Sequence, residues 1–208
     1  MSSSRFSIKS TPLKEHLFFF KRWLENPLQL GAILPSSRPL GKLVARHVME
    51  QWKRSEPSHV IELGAGTGSF TQSLLDEGFP PELLICVELD PQLCAYLKNR
   101  FPKVHVLQGD ATQLTSLVKN IVKKPVSLIV SGVPMLSISE KERRFIVESS
   151  FRVLGETGKF FQFTYYPFSP IAVRKYALEK KRIGTIFRNI PPATVWCYEK
   201  KISSSLST

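Results

Sequence analysis

The feature of the sequence that most constrains the fold is a glycine-rich turn between an apolar run and a helical pattern. It occupies residues 60–70 and reads VIELGAGTGSF, with glycines at positions 64, 66 and 68. Glycine has no Cβ atom, so the backbone of such a turn can lie directly against a ligand. A turn of this kind is informative because it follows a predicted strand and opens a predicted helix.

The remaining sequence repeats this alternation of strand and helix. Short apolar runs predict strands at 59–63, 83–89, 104–107 and 126–130, and helical spacing predicts helices at 69–77, 91–101 and 139–154. Such alternation predicts an α/β fold with a mostly parallel, doubly wound sheet and helices on both faces. Three late segments, at 158–165, 182–189 and 194–200, bring the number of predicted strands to seven, and Pro191-Pro192 joins the last two.

Acidic residues stand at the ends of successive predicted strands. Glu88 lies twenty residues beyond Gly68, where a carboxylate can accept hydrogen bonds from both hydroxyls of a ribose. The third strand runs into Asp110 and Ala111, where a carboxylate can accept from the amino group of an adenine. Because parallel strands end at one edge of a sheet, we expect these groups to line a single crevice.

The glycine spacing separates two classes of nucleotide-binding protein. Dinucleotide dehydrogenases carry G-x-G-x-x-G, whereas this chain has G-x-G-x-G with Ser69 after the third glycine. The pattern resembles class I S-adenosylmethionine-dependent methyltransferases, where an acidic residue two before the first glycine, here Glu62, helps to hold the methionyl ammonium. The resemblance implies a seven-stranded, mostly parallel sheet with a C-terminal antiparallel hairpin and extra N-terminal helices. It implies S-adenosylmethionine as cofactor, bound by Glu62, Gly64, Gly66, Gly68, Glu88, Asp110 and Ala111.

Three further segments resemble the bacterial phospholipid N-methyltransferases. They are WLENP at 23–27 followed by GAILPSS at 31–37, QFTY at 162–165 followed by SPI at 169–171, and NIPPATVW at 189–196. The resemblance extends from about Phe18 to Tyr198. It implies stepwise methylation of the headgroup amine of phosphatidylethanolamine, toward phosphatidylcholine, by a peripheral membrane enzyme. Ser36 and Ser37 would close over the cofactor or cap a helix that runs to about Trp52.

The methyl acceptor needs groups that orient its amine or take its proton. The candidates are Tyr165, Ser131 and the backbone carbonyls near Pro134. Aromatic rings such as that of Tyr165 can also hold a methylated ammonium by cation–π attraction. An alternative for Tyr165 is an ordinary core position, because alternate aromatic residues on a late strand are often buried.

Two other functions remain open. Ribosomal RNA adenine dimethyltransferases share the core and suit a formal charge of +12, but they carry an Asn-x-Pro-Tyr type motif after the fourth strand. This chain has Ser131-Gly-Val-Pro134-Met135 there, without the amide and the aromatic ring that adenine methylation uses. A non-enzymatic basic binding module that retains the cofactor pocket is the other alternative.

Charge and hydropathy bear on partners and location. Lys and Arg number 29 against 17 acidic residues, which favours an anionic membrane surface, with nucleic acid as the less favoured polyanion. At 11–25 a basic, aromatic-rich amphipathic helix is predicted, and we expect it to lie in the membrane interface. The expected division is N-terminal helices over 1–52 and a methyltransferase domain over 53–202. No metal site or disulfide is predicted from the three cysteines, and the expected location is cytoplasmic, on the inner face of the cell membrane.

Overall fold

The computed structural model of the protein describes residues 38–54, 56–123, 126–187 and 192–201. Within these ranges helices and strands alternate through most of the chain. The helices are α1 (Arg38–Trp52), α2 (Ser69–Asp76), α3 (Pro91–Arg100), α4 (Leu114–Val118) and α5 (Glu140–Val153). The strands are β1 (Val60–Leu63), β2 (Leu84–Glu88), β3 (His105–Gln108), β4 (Val126–Ser131), β5 (Leu154–Thr164), β6 (Leu178–Ile186) and β7 (Ala193–Lys200).

The strands form one sheet whose order is β3-β2-β1-β4-β5-β7-β6. Neighbouring strands from β3 to β5 are parallel, while β7 is antiparallel to both β5 and β6. The predicted seven-stranded, mostly parallel sheet with an antiparallel C-terminal hairpin is therefore confirmed. The strand order reverses at β1, so consecutive connections leave in opposite directions and open a crevice at the carboxyl ends of β1 and β4.

Two apolar layers enclose the sheet. On β1, Val60 packs into a layer with buried residues of α1, α2 and α3, whereas Ile61 and Leu63 pack into a layer with α4 and α5. All four residues of β1 are buried, as are all five of β2. Strands covered on both faces have near-continuous apolar sequences, which is why these runs were recognisable.

Helix α1 packs closely on α2 because of a glycine. A Cβ atom at Gly41 would lie 2.3 Å from the Ser73 hydroxyl oxygen, so the absence of a side chain allows the two helices to approach. Leu40, Val44 and Val48 of α1 are buried in the same apolar layer as β1. The predicted start of this helix at Ser36 or Ser37 lies outside the described residues, and its predicted end at Trp52 is confirmed.

The structure differs from the sequence prediction in three places. β6 begins at Leu178, four residues before the predicted start, because it pairs with β7 through a charged stretch that lacks alternation. β5 begins at Leu154 rather than at residue 158, since Leu154 pairs with Val126 ahead of an irregularity in the register. Helix α4 was not predicted, and its five residues are too few for a helical pattern to be distinct.

Candidate active site

The glycine turn sits at the centre of the carboxyl edge of the sheet. Gly64, Gly66 and Gly68 have φ angles of 68°, 56° and 77°, a left-handed conformation that other residues adopt only with strain. The Gly64 N–H donates to the Val87 carbonyl at 2.8 Å, which fixes the turn beside the end of β2. The glycines are thus required by the backbone conformation itself.

Gly68 has a second role, in packing. A Cβ atom there would lie 2.5 Å from Cε2 of Phe101 and 2.8 Å from Cδ2 of Leu97. The third glycine of the turn therefore lets the start of α2 pack against the end of α3. The predicted role of Gly68 in cofactor binding is therefore a role of its backbone, which shapes the turn.

Glu62 lies on β1 just before the turn and is 3% exposed. Its carboxylate accepts hydrogen bonds from the Thr71 hydroxyl and, at 3.5 Å, from the Cys86 thiol. Burial raises the pKa of Glu62 to about 7, and the charge of Glu88 contributes in the same direction while the two hydrogen bonds oppose it. The Glu62 carboxyl group therefore gains or loses its proton near neutral pH.

Glu88 ends β2 and contacts the turn directly. Its Oε2 accepts from the Gly66 N–H at 2.8 Å, and its Oε1 accepts from the Leu89 and Asp90 N–H groups at 2.9 and 3.1 Å. A carboxylate has about four acceptor positions, so it can still receive a further donor such as a hydroxyl. The next side chain, Leu89, is exposed at this edge, where it offers an apolar surface to a flat base.

The two buried carboxylates fit the predicted cofactor. Neither Glu62 nor Glu88 makes a salt bridge within the described parts of the chain. A buried carboxylate without a counter-charge is costly, and a ligand with a cation or hydroxyl donors relieves that cost. S-Adenosylmethionine has an ammonium that Glu62 would hold and ribose hydroxyls that Glu88 would hold.

The remaining cofactor-binding predictions fall partly on this edge. Asp110 follows β3, is exposed, and accepts the Thr112 N–H at 2.8 Å, while Ala111 begins a short 3-10 turn after it. Both therefore stand at the carboxyl end of the strand beside β2. Ser36 and Ser37 lie outside the described residues. No group of His, Cys, Asp or Glu in the described ranges could hold a metal ion.

Two of the predicted acceptor-site residues maintain the loop after β4. Ser131 is fully buried, and its hydroxyl oxygen accepts the Val133 N–H at 3.2 Å. The Pro134 carbonyl accepts the Ser137 N–H at 2.8 Å. Each group thus already has a local hydrogen bond that shapes the loop.

Tyr165, the third predicted acceptor-site residue, follows β5. It packs against the apolar layer that contains α1 and α2. Glu62 projects from the same side of the sheet, because it stands two residues after Val60 on β1. Burial raises the pKa of Tyr165 above its usual value of 10. The phenol therefore keeps its proton at neutral pH, and it can donate a hydrogen bond but is a poor proton acceptor.

Gln162 is a polar residue at this edge whose position the sequence did not reveal. It pairs in register with Ser131, and its Nε2 donates to the carbonyls of Val133 at 2.9 Å and Phe163 at 2.7 Å. Its Oε1 is buried and has no hydrogen-bond partner among the described residues. An unpaired buried acceptor costs about 1–3 kcal/mol, so this oxygen is a local cost to the fold. Only the register of β4 and β5 could have indicated this placement.

Comparison with known proteins agrees with the fold. A family model described as a methyltransferase domain matches residues 60–158. An ornithine lipid N-methyltransferase from Singulisphaera acidiphila is 28% identical over 186 residues, covering 87% of this chain and 94% of that protein. Two Synechococcus proteins named ribosomal RNA small subunit methyltransferase A are each 31% identical, over 99 and 137 residues, which cover 46% and 60% of this chain but only 31% and 44% of theirs.

Solved structures support the fold in the same way. A TehB-like S-adenosylmethionine-dependent methyltransferase from Corynebacterium glutamicum has a TM-score of 0.57 at 19% identity, covering 90% of this chain and all of that one. The CurJ carbon methyltransferase has a TM-score of 0.60 at 10% identity, covering 77% of this chain and 54% of that one.

The strand order and the crevice carboxylates, with the domain match, define the class of protein. The chain has the fold of class I S-adenosylmethionine-dependent methyltransferases, and its residues 60–158 match a methyltransferase domain. Among the relatives above, the ornithine lipid N-methyltransferase, a protein named for N-methylation of a lipid, matches this chain over most of the length of both proteins.

Proposed function

We propose that this protein transfers methyl groups to the headgroup amine of phosphatidylethanolamine and of its methylated intermediates, toward phosphatidylcholine. The observation that carries the proposal is the extent of the similarity to the ornithine lipid N-methyltransferase, which includes 94% of that protein. Both acceptors present an aliphatic amine at a membrane surface. The three sequence segments that resemble phospholipid N-methyltransferases favour phosphatidylethanolamine over ornithine lipid.

The chemistry asks little of the protein beyond positioning. When bound, S-adenosylmethionine supplies a methyl group on a positively charged sulfur, which an amine lone pair displaces in line. An alkylammonium resembles lysine, with a pKa of about 10.4, so the site has to favour its neutral form. Transfer into a partly buried site does so, because desolvation disfavours the charged amine.

The side chains near the acceptor position suit an amine. The phenol of Tyr165 stays protonated, so its role is to orient the acceptor and to face the methylated ammonium with its ring. Ser131 and Pro134 support these contacts by holding the loop after β4 in place.

Adenine in ribosomal RNA is a poorer acceptor for this site. Its exocyclic nitrogen has a lone pair delocalised into the ring, so methylation needs an exposed acceptor and a ring that stacks on the base. Gly132, three residues before Met135, stands at the position of the motif asparagine and carries no amide. Ser131 beside it is fully buried, and its hydroxyl oxygen accepts the Val133 N–H. Met135, at the position of the aromatic residue, is buried as well.

Labelling with several acceptors tests the proposal. Purified protein would be incubated with methyl-labelled S-adenosylmethionine and with one acceptor at a time: phosphatidylethanolamine vesicles, ornithine lipid vesicles or ribosomal RNA. We expect label in phosphatidylethanolamine and its methylated products, identified by mass. Label confined to RNA would refute a lipid acceptor, and label confined to ornithine lipid would refute the choice of headgroup. Tight cofactor binding without any labelled product would instead favour the non-enzymatic binding module.

A further inference from the structure

Two exposed aromatic side chains lie at the edge of the sheet where the proposed acceptor site is. Phe187 is 80% exposed and directly follows β6, and Phe168 is 54% exposed in the segment after β5. Of the other large apolar side chains exposed on the described chain, Tyr96 and Phe145 lie on helices and are 40% and 44% exposed. Leu89 stands beside the Glu88 carboxylate, where the cofactor would cover it.

The topology places the two rings on the same edge of the sheet. β5 and β6 are both antiparallel to β7, so they run in the same direction and end at the carboxyl edge. With one strand between them, their ends are about 10 Å apart. The ring of Tyr166 lies 5.5 Å from that of Phe168, between centroids, which extends the aromatic surface toward Tyr165. The proposed amine site thus has exposed rings beside it.

Exposed aromatic rings gain the free energy of burial only when they leave water for an apolar environment. Aromatic side chains are also the type enriched at the interface between a bilayer and water. β6, which leads to Phe187, carries Lys180, Lys181 and Arg182 against the single acid Glu179. These residues precede Phe187 by five to seven positions, roughly 15–20 Å along a strand, so they contribute to the formal charge of +12 of the whole chain rather than to the docking edge itself. That overall charge favours an anionic lipid surface, by an attraction that salt weakens.

Given the proposed function, we propose that Phe168 and Phe187 insert into the interface of an anionic phospholipid bilayer and dock the carboxyl edge of the sheet on it. This contact is separate from the predicted helix at 11–25. It presents the headgroup amine of a bilayer lipid to the site beside Tyr165 without extracting the whole lipid. The proposed partner of the two rings is the bilayer. The alternative is that another part of this chain covers them.

The test compares a double variant, Phe168→Ser with Phe187→Ser, with the matched control Phe145→Ser on α5. Binding to vesicles of phosphatidylethanolamine and phosphatidylglycerol would be measured by flotation, and turnover on the same vesicles and on a monomeric short-chain phosphatidylethanolamine. The double variant should bind vesicles about tenfold more weakly and lose vesicle turnover in proportion. Its turnover on the short-chain lipid, its cofactor affinity and its melting temperature should stay at wild-type values. The control should match the wild type throughout.

The results separate this inference from the proposed function. Wild-type vesicle binding by the double variant would overturn the docking while leaving lipid methylation intact. A fall of several degrees in its melting temperature would overturn it too, because the rings would then be packed within the protein. If the wild type labels no lipid but its vesicle binding depends on the two rings, the docking stands and the proposed function fails.

Discussion

At the scale of single residues, Glu62 is a carboxyl group that folding removes almost wholly from water. Its pKa is about 7 in the folded protein against an ordinary value of 4.5. The folded state therefore binds more protons than the unfolded state between these pH values, so stability falls as pH rises through this window. We expect Glu62→Gln to stabilise the cofactor-free protein above pH 7 by up to about 3 kcal/mol.

Urea unfolding of wild type and Glu62→Gln at pH 4.5 and pH 8 measures this difference. The two proteins should differ most at pH 8 and converge at the acidic end. Glu82→Gln, a change at a carboxylate of the short turn before β2, serves as the control. Parallel pH profiles for wild type and Glu62→Gln would show that the buried carboxyl does not titrate as described.

Glu88 contributes through the hydrogen bonds of its carboxylate. Glu88→Ala should weaken S-adenosylmethionine binding by about tenfold or more, because a hydrogen bond to a charged group contributes roughly 1.5–3 kcal/mol. Calorimetry measures the affinity, and circular dichroism checks that the turn at Gly66, which Glu88 also holds, has not unfolded the protein. Glu82→Ala is the control. Wild-type affinity in a folded Glu88→Ala protein would remove Glu88 from the cofactor site.

At the scale of elements, the packing of α2 against α3 depends on Gly68. Gly68→Ala meets both an unfavourable φ of 77° and a Cβ contact of 2.5 Å with Phe101. Gly78→Ala meets a similar φ of 86° but has no atom within 4 Å of the new Cβ, so it isolates the cost of backbone conformation. We expect Gly78→Ala to cost about 1 kcal/mol and Gly68→Ala about 2–4 kcal/mol, the excess arising from overpacking.

Chemical denaturation of both glycine variants gives the comparison. Equal losses of stability would mean that α3 moves aside without cost, contrary to a packing role for Gly68. The result also bears on sequence interpretation, because a glycine in a ligand-binding turn is usually assigned to the ligand. Here one of the three is fixed by contact between two helices.

At the scale of the whole molecule, the formal charge of +12 and the predicted helix at 11–25 concern membrane attachment. That helix lies outside the described residues, and no helix within them is long and apolar enough to cross a bilayer. Each basic residue near an anionic surface contributes about 1 kcal/mol. Reversing the charge at Lys14, Lys21 and Arg22 should therefore reduce sedimentation with anionic vesicles and turnover of vesicle lipid.

A short-chain lipid dispersed in detergent provides the control, since its turnover should suffer less from charge reversal. Deleting residues 1–25 should also reduce vesicle binding. Vesicle binding that survives both changes would assign membrane attachment to other surfaces, of which the edge with Phe168 and Phe187 is the candidate argued above.

The sequence by itself determined the seven-stranded, mostly parallel sheet with its antiparallel C-terminal hairpin, and the glycine turn between β1 and α2. Strands buried on both faces need continuous apolar runs, and a strand-to-helix turn with left-handed residues needs glycine, so both leave local signals. Glu62 and Glu88 were predictable because they are fixed in sequence relative to that turn. The start of β6 was not, because its charged residues form a strand only by pairing with β7.

Only the tertiary structure decided what the acceptor-side residues contact. Register places Gln162 beside Ser131, although they are thirty-one positions apart in the chain. The buried surroundings of Ser131 turn its hydroxyl to the Val133 N–H, and burial keeps Tyr165 protonated. These properties depend on which residues fold against one another, since a hydrogen-bond partner or a desolvated phenol has no counterpart in local sequence pattern.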